Sequence, residues 1–363
     1  MKNRIKNALI ACLVFSMLCC TSCNKPNNGG DSVVNSNTNK ITDRDSLSSD
    51  ATIAFKDLNV QGHVEKSFVQ NNVSVSINSD VIVPEADGLF KAVFVFDEEN
   101  MNRIVNEWLL PAYPDAKTNT DESFDYGWGT SKEDGSVLMG FSADRDGEIG
   151  FIDSVRNIDG TAEGYHTERR YITNTIPSGM NIDAKEAEKE ARLFVEKYSP
   201  FKYSAYKISD INDKQKIKGY YEIYLQPEYK NIPVCIAQKC EGYGVSLDFE
   251  VCLSAEGIFA FQGKTNLKEK ECVSVDNMMP FDSIMDYFSS DIAVLATGTD
   301  VRVKNIYLAL IPDTENPGSP EITLTPAWCF EYSDTRIEAG EEITLEFTVA
   351  YSVENGRIIG QFF

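Results

Sequence analysis

The 363-residue sequence contains few histidines, few basic residues and no long apolar run. Its two histidines, His63 and His166, exclude a histidine-rich zinc site. His166 opens an H-x-E pair, but the P-C-x-x-C half of a zinc deaminase signature does not follow. The nucleophile-elbow pattern G-x-S-x-G is also absent, which argues against an α/β-hydrolase site. With 34 basic and 56 acidic residues the formal charge is −22, which disfavours charge-driven binding to nucleic acid or anionic lipid.

The N-terminal segment is too short in its apolar part to span a bilayer, and its order of residues is typical of a signal peptide. Three basic residues in the first six positions precede the apolar run 8–18, and two small residues then precede Cys23. We therefore predict a lipoprotein signal peptide over 1–22, with the Cys23 thiol as the site of lipidation. Cys20 stands where a lipobox usually has leucine, and cleavage before Cys20 is the competing register.

The next segment, 23–50, is rich in asparagine and serine and has few apolar side chains. Such a segment cannot bury enough apolar surface to offset the entropy of ordering, so we predict a flexible tether. The protein is then expected on the exterior of the cell membrane, anchored by diacylglycerol with palmitate-type acyl chains. Because the sequence has no polybasic stretch, the lipid alone is expected to hold it there.

Five further cysteines follow Cys23, an odd number that cannot pair completely. They are Cys235, Cys240, Cys252, Cys272 and Cys329. Four of them lie in apolar, strand-like runs, which is typical of buried free thiols. Cys235 and Cys240 are close enough in sequence to close a short hairpin, and that disulfide stays open as an alternative.

Hydrophobic periodicity predicts an N-terminal α+β domain over 51–178. Segments 73–83 and 89–96 have the alternating or continuous apolar patterns of strands. Asp97 then precedes apolar residues at helical spacing, which places Trp108 on the core face of a helix.

The remaining residues, 179–363, predict a duplicated helix-plus-meander unit. Segments 247–261 and 345–362 match at a constant offset, and each follows a predicted helix, at 183–198 and near 281–292. The two predicted repeats are 179–270 and 271–363. The alternation favours antiparallel sheets, each covered by helices, and therefore an α+β fold.

Two segments imitate ligand-binding loops. Segment 257–265 has five residues between its glycines where a phosphate loop has four, and it is predicted to be a strand. Segment 142–153 has Asp144, Asp146 and Gly147 at calcium-loop positions but lacks the first aspartate and the last glutamate. A hairpin turn is favoured there, with weak calcium binding as the alternative. We predict no cofactor and no metal site.

The polar segment 111–136 is predicted to be a loop. It contains Phe124, Tyr126 and Trp128 among acidic residues. Aromatic side chains on a polar loop suit stacking on sugars or gripping a peptide, so these three are candidate binding residues. The alternative is that they fold back and anchor the loop on the domain.

Several sequence segments resemble those of known families. Segment 81–84 resembles the V-x-V-P motif of Gram-positive lipoproteins of unknown function. Segments 186–198, 226–234, and 307–312 with 325–332 resemble the PepSY-type modules of the YycH and YycI regulators. The resemblance implies an extracytoplasmic protein without enzyme activity that restrains a sensor kinase, or a protease as PepSY propeptides do. Those regulators meet their kinase through a transmembrane helix, whereas this chain predicts only a lipid.

The sequence therefore predicts a lipid-anchored extracytoplasmic binding or regulatory protein, with no catalytic residue assigned. The expected partner is an envelope protein, a peptide or a glycan. The alternative is a cell-envelope hydrolase with a carboxylate or Ser-Lys site, since spacing among 56 acidic residues has no discriminating power. A solute receptor is disfavoured because alternating βαβ units are absent.

Overall fold

A computed structural model describes residues 52–118, 125–131, 137–153, 171–212, 219–235, 247–313 and 321–362. Several predicted features lie outside these ranges: the signal peptide 1–22 with the tether 23–50, Cys23, Phe124, His166 and Cys240. Among the described helices, none combines the length and apolarity that a membrane-spanning helix needs.

Strands dominate the described residues. In chain order they are β1 (His63–Gln70), β2 (Val73–Ile82), β3 (Leu89–Phe96), β4 (Lys117–Thr118), β5 (Tyr126–Ser131), β6 (Val137–Ala143), β7 (Glu148–Asp153), β8 (Tyr171–Ile172), β9 (Lys202–Asn212), β10 (Gly219–Tyr229), β11 (Ile232–Pro233), β12 (Phe249–Ser254), β13 (Gly257–Lys264), β14 (Leu267–Val275), β15 (Asp300–Asp313), β16 (Glu321–Glu338), β17 (Glu341–Ser352) and β18 (Ile358–Phe362). The helices are α1 (Glu98–Ile104), which continues through a π-helical turn (Val105–Leu109) and a final turn (Leu110–Ala112), α2 (Ala184–Glu196) and α3 (Phe281–Leu295).

Eight strands form the first sheet, in the order β1-β2-β15-β16-β17-β18, with β3 pairing both β14 and β16. All of these pairs are antiparallel except β2 with β15, where Val75 is opposite Val301. The strand β2 alternates buried and exposed side chains over most of its length, because one face covers the core and the other meets solvent.

Ten strands form the second sheet, in the order β4-β5-β6-β7-β13-β12-β10-β9-β8, with β11 beside β10. Only the short pair β8 and β9 is parallel. Strand β10 buries every second residue, including Tyr221, Ile223 and Leu225, so its two faces have different environments.

Helices cover parts of both sheets through aromatic contacts. Trp108, in the π-helical turn after α1, meets the rings of Phe151 at 4.7 Å and of Phe194 and Phe261 at 5.3 Å. On the other sheet, Phe288 of α3 stacks on Phe330 at 4.3 Å. These contacts confirm that Trp108 faces the core.

The predicted helix starts are confirmed by their caps. Asp97 accepts a hydrogen bond from the backbone N–H of Asn100, and Asp183 accepts two from Lys185 and Glu186. Each carboxylate satisfies N–H groups that have no partner within the helix and lies at its positive end.

The predicted fold, an α+β arrangement of helix-covered sheets with two PepSY-like repeats, is wrong. A helix followed by four antiparallel strands does occur twice, but each set of strands belongs to a larger mixed sheet. Strand β2 pairs with β15, and β3 lies between β14 and β16. Strands account for more than half of the described residues, so this part of the chain is predominantly β. Local periodicity indicates strands but not their hydrogen-bonding partners. Taken alone, it therefore predicts sheets that are smaller than those in the structure.

The two sheets are built from strands that are distant in sequence. Strands β1 to β3 lie in the eight-stranded sheet, whereas β4 to β7 lie in the ten-stranded sheet. Each sheet therefore takes strands from both sides of residue 178, where the sequence predicts a division between domains. Thr265 and Asn266, both buried, lead the chain from β13 in one sheet to β14 in the other.

Candidate functional site

The predicted aromatic residues Tyr126 and Trp128 lie on strand β5, not on a loop. Tyr126 stacks on Phe96 with ring centroids 5.6 Å apart, and Trp128 meets Phe141 at the same distance. Both side chains are half-buried and pack against the main core. The sequence does not show the apolar alternation of a strand here, because the buried residue between the two aromatics is a glycine, Gly127, and the flanking residues are polar. Their role in binding stays a prediction.

The calcium-like segment forms the hairpin of β6 and β7, as predicted. The backbone N–H of Asp144 bonds to the carbonyl of Glu148, and that of Gly147 bonds to the carbonyl of Asp144. Gly147 adopts a φ of +85°, which explains the glycine at this position. Burial, and then the neighbouring Asp146 and Glu148, raise the pKa of Asp144 to about 6.

A lysine from another strand forms ion pairs with this hairpin. Lys264 of β13 has a side chain that is 3% exposed, and its Nζ forms an ion pair with Asp146 and lies 3.5 Å from Glu148. Asp153, the last calcium-loop position, accepts a hydrogen bond from the Tyr113 hydroxyl at 2.6 Å. The carboxylates of Asp146, Glu148 and Asp153 are thus engaged by protein groups, and this favours a structural hairpin over a calcium loop.

The cysteines of the described residues carry free thiols. Cys235, Cys252 and Cys329 are buried, as expected for apolar strands, whereas Cys272 is partly exposed. Cys235 contacts the Tyr307 hydroxyl, with Sγ 3.3 Å from the oxygen. Burial raises the pKa of the Cys252 and Cys329 thiols well above the usual range, so neither is a reactive thiolate at neutral pH.

Two glutamates that the sequence analysis did not single out come together on one face of the ten-stranded sheet. Glu222 of β10 is opposite Cys252 of β12, and Glu250 is opposite Tyr224 two residue pairs further along. The carboxylate oxygens of Glu222 and Glu250 and the sulfur of Cys252 all lie within 4.8 Å of one another. These three side chains could hold a divalent metal ion.

Burial and mutual repulsion shift the proton affinity of this pair. Burial is the main cause that raises the pKa of Glu250 to about 8, and the charge of Glu222 adds to it. The pKa of Glu222 is also raised by burial, while the ammonium of Lys207 acts in the opposite direction. Lys207 lies over the ring of Tyr224, 4.6 Å from its centroid. Glu250 therefore holds a proton at neutral pH, beside the carboxyl group of Glu222.

A groove of about 490 Å³ opens at one end of the central strands of the same sheet, where the turns after α1, helix α2 and the β12–β13 hairpin meet. It is lined by Trp108, Ala112, Tyr113, Glu190, Leu193, Leu253, Glu256, Gly257 and Ile258. Leu193 is 55% exposed although it lies on a helix whose apolar stripe is buried. An apolar residue outside the buried stripe of α2 is the one sequence signal that could have indicated this surface.

Comparison with known proteins finds no matching family model and no matching curated protein. A crystal structure of an uncharacterised protein from Eubacterium rectale is similar, with a TM-score of 0.56 and 14% sequence identity. The match covers 82% of this chain and 93% of that chain. At this identity the likeness concerns the fold alone.

Proposed function

We propose that this chain is a lipid-anchored, extracytoplasmic binding or regulatory protein without catalytic activity of its own. The supporting observation is the groove beside Trp108, an open concavity with mostly apolar walls. Concave apolar sites with a few polar groups are where proteins most often bind ligands. The partner is an envelope protein or peptide, and restraint of an envelope protease or a sensor kinase is the regulatory role we propose.

Recovery of the acylated protein from its own membranes tests this proposal. A specific protein or peptide partner is expected to copurify with the wild type. Substituting Leu193→Asp would place a charge at the groove without disturbing the core, and it is expected to reduce that recovery. Recovery of no partner, together with turnover of peptidoglycan or peptides by the purified protein, would contradict the proposal.

A cell-envelope hydrolase is the second candidate, and the pairing of Glu222 with Glu250 favours it. One carboxyl group that keeps its proton next to another that accepts one is the arrangement needed for general acid–base hydrolysis. If this function is correct, Glu222→Gln and Glu250→Gln each abolish turnover of an envelope substrate. Glu65→Gln, at an exposed position of edge strand β1, should leave turnover unchanged. Equal turnover in all three variants would exclude the pair as the catalytic site.

A further inference from the structure

The groove beside Trp108 is preorganised on its aromatic side. The indole ring of Trp108 is half-buried and held by edge and tilted contacts with three phenylalanines. Tyr113 is fixed in the same wall by its hydrogen bond to Asp153. Rings that are already immobilised lose little conformational freedom when a ligand packs on them.

Apolar side chains complete the other walls. Leu253 and Ile258 come from the β12–β13 hairpin, and Leu193 comes from helix α2. Leu253 is 1% exposed and belongs to the core, whereas Leu193 presents 55% of its surface to solvent. The volume of about 490 Å³ is at the small end of ligand pockets and is sufficient for one or two large side chains.

The charged side chains that line the groove are acidic. Among the described residues, those that line it with a charge are Glu190 and Glu256, and none of the lining residues is a lysine or an arginine. Both glutamates are exposed, so they lie where they can meet the polar part of a ligand whose apolar part enters the groove. The net charge of −22 adds a long-range attraction for cationic ligands and repels a second copy of the chain.

We propose that this groove binds a peptide segment of a partner protein that inserts a large apolar side chain and places a lysine or arginine beside Glu190 and Glu256. The inference rests on the proposed binding function and specifies its ligand class. Apolar burial against Trp108 and Leu193 supplies the affinity, and the two carboxylates select a basic over an acidic flank.

The full protein labelled with 5-fluorotryptophan provides a direct test, because Trp108 lines the groove whereas Trp328 is fully buried elsewhere. The probes are three acetylated, amidated tetrapeptides of sequence KLFK, QLFQ and ELFE. KLFK is expected to shift the ¹⁹F resonance of Trp108 and to leave that of Trp328 in place. Assignment follows from Trp108→Phe and Trp128→Phe.

Two variants separate the charge from the apolar contact. The double variant Glu190→Lys/Glu256→Lys reverses both charges that line the groove. It should weaken the binding of KLFK about tenfold and strengthen the binding of ELFE. Leu193→Ala should weaken the binding of every peptide that binds, while the matched variant Ile337→Ala, whose side chain is 78% exposed on strand β16, should leave all binding unchanged. An unchanged Trp328 resonance shows that each variant is folded.

Equal binding of the three peptides, or no shift of Trp108 with any of them, would overturn the inference. Neither result would contradict the proposed binding function if the acylated protein still recovers a partner in a Leu193-dependent manner. Conversely, selective KLFK binding without any membrane partner would support the ligand class and contradict the proposed role in the envelope.

Discussion

Replacement of Glu250 by glutamine should stabilise the protein at neutral pH, although Glu250 lies in the candidate site. Glutamine has the shape of the protonated acid and no charge. The ordinary pKa of this carboxyl group is 4.5, and in the folded protein burial raises its pKa to about 8. Between these values the folded protein binds a proton that the unfolded chain has released, so the free energy of unfolding falls as pH rises.

The magnitude follows from the difference in pKa. Each pH unit above 4.5 costs the wild type about 1.4 kcal/mol until the folded group itself ionises near pH 8. The penalty is negligible near pH 4 and reaches about 3 kcal/mol at pH 7. This is an upper bound, because Glu250 keeps some solvent exposure and water screens part of the penalty.

Urea unfolding of wild type and Glu250→Gln at several pH values measures this difference. We expect the variant to be equal to wild type near pH 4 and progressively more stable toward pH 8. Glu65→Gln, at an exposed position, should follow the wild type at every pH. A difference between Glu250→Gln and wild type that does not change with pH would refute the proposed proton on Glu250.

Three further predictions concern other sites. Lys264→Met should lower the free energy of unfolding by about 2 kcal/mol, because it leaves partly buried carboxylates without their cation, whereas Lys270→Met in a half-exposed ion pair should change it by less than about 0.5 kcal/mol in urea titrations. Gly147→Ala should cost about 1–3 kcal/mol by thermal unfolding, because its φ is +85° and a Cβ would strike Leu267, while an unchanged Tm would contradict this account of the turn. Cys23→Ser should release the protein from membranes in a fractionation assay, and a variant that stays membrane-bound would exclude Cys23 as the lipidation site.

Much of the local structure follows from the sequence. The apolar run over 89–96 is strand β3, and Asp97 and Asp183 cap the helices that follow them. The turn at Gly147 is also where the hairpin pattern predicts it. These features depend on residues close together in the chain, so periodicity and capping chemistry are sufficient to predict them.

Pairing between distant strands is what the sequence does not reveal. The contact of Glu222 with Glu250 depends on the register of β10 against β12, and Lys264 reaches Asp146 only because β13 pairs with β7. In the sequence these residues are indistinguishable from ordinary exposed charges of alternating strands. Their burial arises from the sheet as a whole, and a local pattern has no information about it.

The groove is hidden for the same reason. Its walls come from three elements that are far apart in the sequence, represented by Trp108, Leu193 and Ile258. Helical spacing predicts that Trp108 faces the core, which is confirmed, but it does not predict that part of the ring remains accessible. Only Leu193, apolar and outside the buried stripe of α2, departs visibly from the pattern.

Site-specific photo-crosslinking in the protein's own membranes tests the central claim most directly. A photoreactive residue at position 193 of the full chain is compared with one at position 337, which is even more exposed but lies far from the groove in the sequence and on another element. We predict a discrete adduct with a protein or peptide from position 193 and none from position 337. Equal labelling from both positions, or none from position 193, would contradict the claim that this groove is where the protein binds its partner.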